Sequence, residues 1–260
     1  MVVTAVMTLL AVTAGRGWGS VVVGLAVLTG QLSVGWSNDW IDRERDRLAG
    51  RSDKPIVAGA VAANTVVTMA GIAAFVCVPL SYASGLRAGT AHLVGVAAAW
   101  GYNAWLKSTV LSVAPYVVAF GLLPGLVTWG LPGSPAPPWW AVAAGALLGA
   151  GAHFANALPD LSDDARTGVR GLPHRLGRTT STFAAAALLA SAVVVLAGAA
   201  APSSGPARVG AFAMAGASLC CAVGVAVAGR VGRPRTGWHL TMVTAVLAVG
   251  LLLLRGSSLG

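Results

Sequence analysis

Residues 19–46 read GSVVVGLAVLTGQLSVGWSNDWIDRERD, a long apolar run that ends in a dense mixture of acids and bases. The apolar part, about 19–41, matches the roughly 20 residues that carry a helix across a bilayer. Ser33, Ser37, Asn38 and Asp39 interrupt it towards its end. Asn38, Asp42 and Asp46 stand four residues apart, a spacing that stacks side chains on one face of a helix. The same spacing returns at Asn156, Asp160 and Asp164, where Pro159 would kink or end a helix. All eight acidic residues fall in these two segments: Asp39, Asp42, Glu44, Asp46 and Asp53 in one, and Asp160, Asp163 and Asp164 in the other.

The rest of the 260-residue chain is 56% hydrophobic and only 10% charged. Its mean hydropathy is +0.77. Soluble domains carry roughly 25% charged residues, so the composition is that of an integral membrane protein. Apolar runs recur at about 2–15, 19–41, 60–82, 88–106, 109–131, 138–159, 179–201, 207–229 and 237–254. This predicts an all-α polytopic bundle forming one domain over 1–260. The first run is short and starts at Met1 without flanking charge, which suggests a chain that begins upstream or a helix that is tilted or only partly inserted. The absence of Lys or Arg before it argues against a signal peptide.

Counting loops from end to end places Arg43, Arg45, Arg47, Arg51, Lys54, Lys107, Arg166, Arg170, Arg175, Arg178, Arg230, Arg233 and Arg235 on one side. The other side has only Arg16, Arg87, Arg208 and Arg255. By the positive-inside rule both acidic segments face the cytoplasm, in a bacterial plasma membrane. The net charge of +9 then reflects topology and the binding of anionic substrate and lipid, and nucleic acid is not an expected partner.

A carboxylate in hydrocarbon costs about 3 kcal/mol on insertion scales, and neighbouring carboxylates repel. Both ladders also lie at C-terminal helix ends, where the macrodipole disfavours anions. They must sit in water or hold cations. Oxygen donors without Cys, and with only His153 nearby, suit Mg2+ or Mn2+ rather than zinc. Two ions, one per ladder, would clamp a diphosphate whose other oxygens are met by Arg and Lys. Surface Arg–Asp pairing would explain one such cluster, but two matched clusters favour a metal site. Cys77, Cys220 and Cys221 lie in apolar runs and read as packing residues.

The stretch Asn38-Asp39-Trp40-Ile41-Asp42-Arg43-Glu44-Arg45-Asp46 resembles the first signature, N-D-x-x-D-x-x-x-D, of the UbiA superfamily of intramembrane prenyltransferases. Asp160-Leu161-Ser162-Asp163-Asp164, followed by Gly168 and Leu172-Pro173, resembles its second, D-x-x-x-D. Lys54-Pro55-Ile56 with Gly59 is similar to R-P-[IL]-x-x-G, and Tyr102 with Leu106-Lys107 to Y-x(3,4)-L-K. Lys54 replaces the usual Arg, a point charge in place of a fork, and Ser108 stands where many members have a second basic residue.

The resemblance implies a nine-transmembrane-helix bundle with a central cavity, and Mg2+-dependent transfer of an isoprenyl group from its diphosphate to a lipophilic, aromatic acceptor. Carried over by position, Asn38, Asp42, Asp46, Asp160 and Asp164 would bind two Mg2+ ions and the diphosphate, while Asp39 orients basic groups. Arg51, Lys54 and Lys107 would meet phosphate oxygens, with Tyr102 and Asn156 as polar supports. Two other activities compete with this one: a membrane terpene cyclase of the same fold, which needs no acceptor, and an ion-coupled secondary transporter. Transporters place such groups near the midplane on broken helices, unlike these. A cytidine-diphosphate alcohol transferase would need signature elements that the chain lacks.

Trp36, Trp40, Trp100 and Trp105 flank these motifs and are candidates to line the cavity and face a cation. Trp18, Trp129, Trp139, Trp140 and Trp238 fit an interfacial belt. His153 shares the face of Asn156 and Asp160 and is a candidate base, although a hydrogen-bonded interior histidine is the plainer reading. His92, His174 and His239 offer no constellation, and Glu44 reads as solvated. The pairs Gly145 with Gly149 and Ala213 with Ala217 allow close helix contact.

Overall fold

The computed structural model describes all residues except 162–163, 165–167, 199–204, 255–258 and 260, and leaves out the side chains of residues 206–207, 234–235 and 238. Asp163, Arg166, Arg255 and the side chains of Arg235 and Trp238 therefore lie outside the described residues. The described chain is all helical: α1 Val2–Thr13, α2 Gly19–Ile41, α3 Arg43–Leu48, α4 Ala63–Tyr82, α5 Leu86–Ala104, α6 Ala114–Thr128, α7 Trp139–Ala157, α8 Leu172–Gly198, α9 Pro206–Arg230 and α10 Pro234–Leu253. Each apolar run becomes one helix, and the short α3 is the addition.

α8 begins at Leu172, earlier than the apolar run at 179, because Leu172–Leu176 form a helical turn before Gly177, whose φ of 78° breaks the axis. Gly tolerates that left-handed value. Among the described residues, four helices are long and apolar enough to cross a membrane on their own: α2, α4, α8 and the Arg208–Arg230 part of α9. α1, α6 and the His239–Leu253 part of α10 are apolar but shorter.

Neighbours in sequence are mostly neighbours in space, as short turns require. α2 packs on α4 and α5, the chain continues α5 to α6 to α7 to α8 to α9 to α10, and α10 meets α1 to close the ring. Large apolar side chains such as Phe75, Val223 and Val246 point outward, an exposure that lipid covers.

The packed core is not central. Met7, Leu10, Val23, Leu126, Trp140 and Leu196 form its main cluster, with Leu251 on α10. All lie towards the helix ends opposite the aspartates. Arg16 fastens that end, giving hydrogen bonds to Val127 O at 3.2 Å and Ser84 Oγ at 3.0 Å. The half of the bundle bearing the aspartates is the hollow one.

Small residues set one spacing that matters for the site. A Cβ on Gly149 would lie 2.5 Å from Tyr116 O, and one on Gly145 would lie 2.4 Å from Phe120 O. α7 can therefore lie against the backbone of α6 only with glycine at both positions. Ala213 and Ala217, read in the same way from sequence, are instead exposed on α9.

Candidate active site

The first aspartate segment keeps its register across a helix junction. α2 ends at Ile41, and Asp42 links it to α3 at φ −86°, ψ −2°. Asp42 N–H still bonds Asn38 O at 2.9 Å and Asp46 N–H bonds Asp42 O at 2.8 Å. The four-residue spacing thus survives the end of α2. Asp42 accepts hydrogen bonds from Arg45 at 2.7 Å and from Lys107. Lys54 donates to Asp39 at 2.7 Å, folding the loop after α3 back onto α2. Burial lifts the Asp46 carboxyl above the ordinary carboxylate range, with the charges of Asp42 and Asp39 adding to the effect and Lys54 and Arg51 opposing it. Glu44 is exposed and pairs with Arg47 at 3.1 Å.

The second segment lies beyond α7, which stops at Ala157 before Pro159. His153, Asn156 and Asp160 therefore do not share one continuous helix face. Asp164 N–H nevertheless bonds Asp160 O at 2.8 Å, so the two aspartates of D-x-x-x-D are linked through their backbone. His174 Nε2 meets Asp164 Oδ2 at 3.2 Å. Burial raises the Asp164 carboxyl; His174 counters this and Asp160 adds to it.

Lys107 joins the two segments. It sits in the 3-10 turn Leu106–Ser108, with its side chain only 7% exposed. Burial lowers its pKa, while the hydrogen bond to Asp42 and the charge of Asp164 oppose that. The loop carrying the second segment is fitted to this turn: a Cβ on Gly171 would lie 2.5 Å from Lys107 O. Ser112 Oγ accepts the Leu172 N–H at 2.9 Å and lies 3.0 Å from His153 Nε2.

Two cavities open beside these groups. The larger, of about 530 Å³, runs between α2, α5 and α6; Asn38, Asp39 and Lys54 stand at one end, and Val27 and Leu123 lie deeper. The smaller, of about 150 Å³, is bordered by Lys107, His153, Asn156, Asp160, Asp164 and His174. Tyr102 borders both. Tyr116 meets Tyr102 edge-on at 5.2 Å between ring centroids and lies 4.9 Å from His153.

Among the described residues, no group of three or more His, Cys, Asp or Glu side chains could hold a metal ion by itself. The carboxylates come in mutually repelling pairs of oxygen donors, and His174 Nδ1 is buried without a hydrogen-bond partner. That donor set fits Mg2+, which commonly binds through one or two carboxylates and completes its shell with water and substrate phosphate.

The sequence profile of the UbiA prenyltransferase family matches residues 1–237. The chain belongs to the UbiA prenyltransferase family. It is therefore a membrane-embedded enzyme of that family. No curated protein sequence matches it. Among solved structures it is similar to a digeranylgeranylglyceryl phosphate synthase in membranes, at TM-score 0.68 and 15% identity over 99% of this chain and 93% of that one. It is also similar to a UbiA homologue from Archaeoglobus fulgidus bound to GPP and Mg2+, at TM-score 0.66 and 16% identity over 98% and 95% of the two chains. The DMAPP- and Mg2+-bound form of that homologue matches at TM-score 0.63 and 16% identity, over 99% and 97%. At these identities the likeness shows a shared UbiA fold.

Within this UbiA fold the sequence-derived residues fall unevenly. Asn38, Asp39, Lys54 and Tyr102 line the larger cavity, and Lys107, His153, Asn156, Asp160 and Asp164 line the smaller. Arg51 is exposed and bonded to Asp53 at 3.2 Å. Trp36, Trp100 and Trp105 border neither cavity: Trp100 donates its indole N–H to Ser33 Oγ at 3.2 Å, and Trp105 is 63% exposed. The aromatic walls come from Tyr102, Tyr116 and Phe120. Tyr116 and Asn103 went unnoticed in the sequence, and His174, read there as offering no constellation, pairs with Asp164. A buried Asn at the end of an apolar helix is costly enough to be a signal, and Asn103 uses its amide to bond Val34 O and Ser37 Oγ at 2.9 and 3.0 Å.

Proposed function

We propose that the protein transfers an isoprenyl group from an allylic diphosphate to a lipophilic aromatic acceptor, with the diphosphate held between the two aspartate segments. The observation that carries this reading is Lys107, buried on Asp42 and bordering, with Asp164, a charged cavity that meets an apolar one at Tyr102.

Asp42 and Asp46 with Asn38, and Asp160 with Asp164, would hold two Mg2+ ions. When bound, these would supply Lewis-acid neutralisation of the leaving diphosphate. Lys107 and Lys54 add positive charge at the same place, where it counts most as the C1–O bond breaks and its electron pair leaves with the diphosphate. Arg51 borders the site at longer range. The faces of Tyr102, Tyr116 and Phe120 suit the allylic cation left behind. The acceptor attacks C1 and then loses its proton. A chamber of about 530 Å³ is within the range of small-molecule sites. The bound GPP and DMAPP of the similar structures support an allylic donor. Nine helices spanning the membrane, with the aspartates on the cytoplasmic side, complete the reading.

The test is to incubate membranes containing the protein with Mg2+, a panel of allylic diphosphates and lipophilic phenols, and to analyse the extract by mass spectrometry. Prenylated phenol that disappears in Asp42→Ala and Asp160→Ala is the expected result. A cyclic hydrocarbon formed equally without phenol would replace transfer with cyclisation.

A further inference from the structure

We propose that His92 selects the acceptor: its Nε2 is a fixed hydrogen-bond acceptor, deep in the larger cavity, for a hydroxyl on the acceptor's aromatic ring. This deepens the transfer reading and rests on it.

His92 is 5% exposed and lines the larger cavity from α5. Its tautomer follows from a proton count. Ser81 Oγ, fully buried on α4, donates its only proton to Cys77 O at 2.7 Å, the back-bonding usual for serine in a helix. With that proton on Cys77 O, the 2.8 Å contact between Ser81 Oγ and His92 Nδ1 is assigned with the imidazole donating. A neutral ring protonated at Nδ1 presents a lone pair at Nε2. Cys77 anchors the relay through Sγ to Ala26 O at 3.5 Å, joining α4 to α2.

The Nε2 edge is left uncovered by glycine. A Cβ at Gly30 would lie 3.4 Å from both Nε2 and Cε1 of His92. Without it, the lone pair faces the cavity, and no protein group among the described residues bonds it. An unpaired acceptor in a dry wall is costly, which an apolar residue would avoid and a ligand hydroxyl would offset.

The position fits an acceptor rather than a phosphate contact. Gly30 precedes Asn38 by eight residues on α2, so His92 stands about 12 Å from the charged end. That leaves room for an aromatic ring between C1 and the imidazole. His92 thus orients the ring and touches neither the diphosphate nor C1, so it is a positioning residue.

The chain has four histidines, few enough to follow individually by nitrogen NMR on protein carrying heavy-nitrogen histidine in liposomes. The probes are para-nonylphenol and its methyl ether, and loss of signals in His92→Phe assigns the His92 resonances. The expected result is an Nδ1-protonated ring whose Nε2 moves upfield with the phenol and not with the ether. Phenol affinity should weaken about tenfold in His92→Phe and recover in part in His92→Gln. Gly30→Ala, which keeps His92 but covers Nε2, should abolish the shift. An Nε2-protonated ring, equal responses to both probes, or a shift that survives Gly30→Ala overturns the proposal.

Diphosphate release from geranyl diphosphate with Mg2+ is measured in parallel. Its absence alongside an intact NMR response overturns the transfer reading. Release without an NMR response overturns the role of His92 alone.

Discussion

The two cavities that meet at Tyr102 are built from different material. The smaller is polar and its walls come largely from connections: the Lys107 turn, the segment after α7 and the first turn of α8. The larger is mostly apolar, walled by α2, α5 and α6, with Asn38, Asp39 and Lys54 confined to one end. Loops can gather charge because their backbone stays near water, whereas helix interiors in lipid can offer little but hydrocarbon. The difference fits the division of labour that the proposed reaction asks for: one chamber to neutralise a leaving group, and the other to shape a hydrocarbon and its partner.

Substitutions can break that division. Asp164→Ala in the polar chamber, or Asp42→Ala beside it on Lys107, should lower turnover about a thousandfold, read as diphosphate release, with the helical content unchanged by circular dichroism. Lys107→Met keeps the stem and removes the charge, and should cost about a hundredfold in kcat. In the apolar chamber, Leu123→Trp should raise KM for the longer of two allylic donors about tenfold while leaving kcat for the shorter nearly intact. A large kcat loss there would mean that the chambers are not separate.

Gly149→Ala acts behind the wall that Tyr116 and Phe120 give the larger chamber. It forces α7 away from Tyr116 O and should destabilise the protein by about 1–3 kcal/mol, seen as a lower unfolding midpoint in detergent. At the small end, Trp36→Leu and Trp105→Leu should change turnover by about twofold or less, because neither residue borders a cavity.

The helices were legible because apolar runs of span length leave few alternatives, and the aspartates because charge is rare in such a chain. What was not legible depends on which helices adjoin. Trp100 and Tyr102 lie two residues apart on α5; one bonds Ser33, while the other opens onto both chambers. Periodicity alone does not say which face meets α2 and which meets α6. His174 looked isolated until the loop after α7 brought Asp164 to it, and His92 until α4 brought Ser81. Such pairs span a chain reversal, which local pattern does not encode.

The tight end of the bundle, closed by Leu10, Leu126 and Leu251 and tied by Arg16, has a bearing beyond catalysis. An interior that is hollow at one end and packed shut at the other gives ions no continuous path. In the proposed reaction a charged leaving group would depart where it was bound, and a membrane could carry many copies of such an enzyme without becoming leaky to ions.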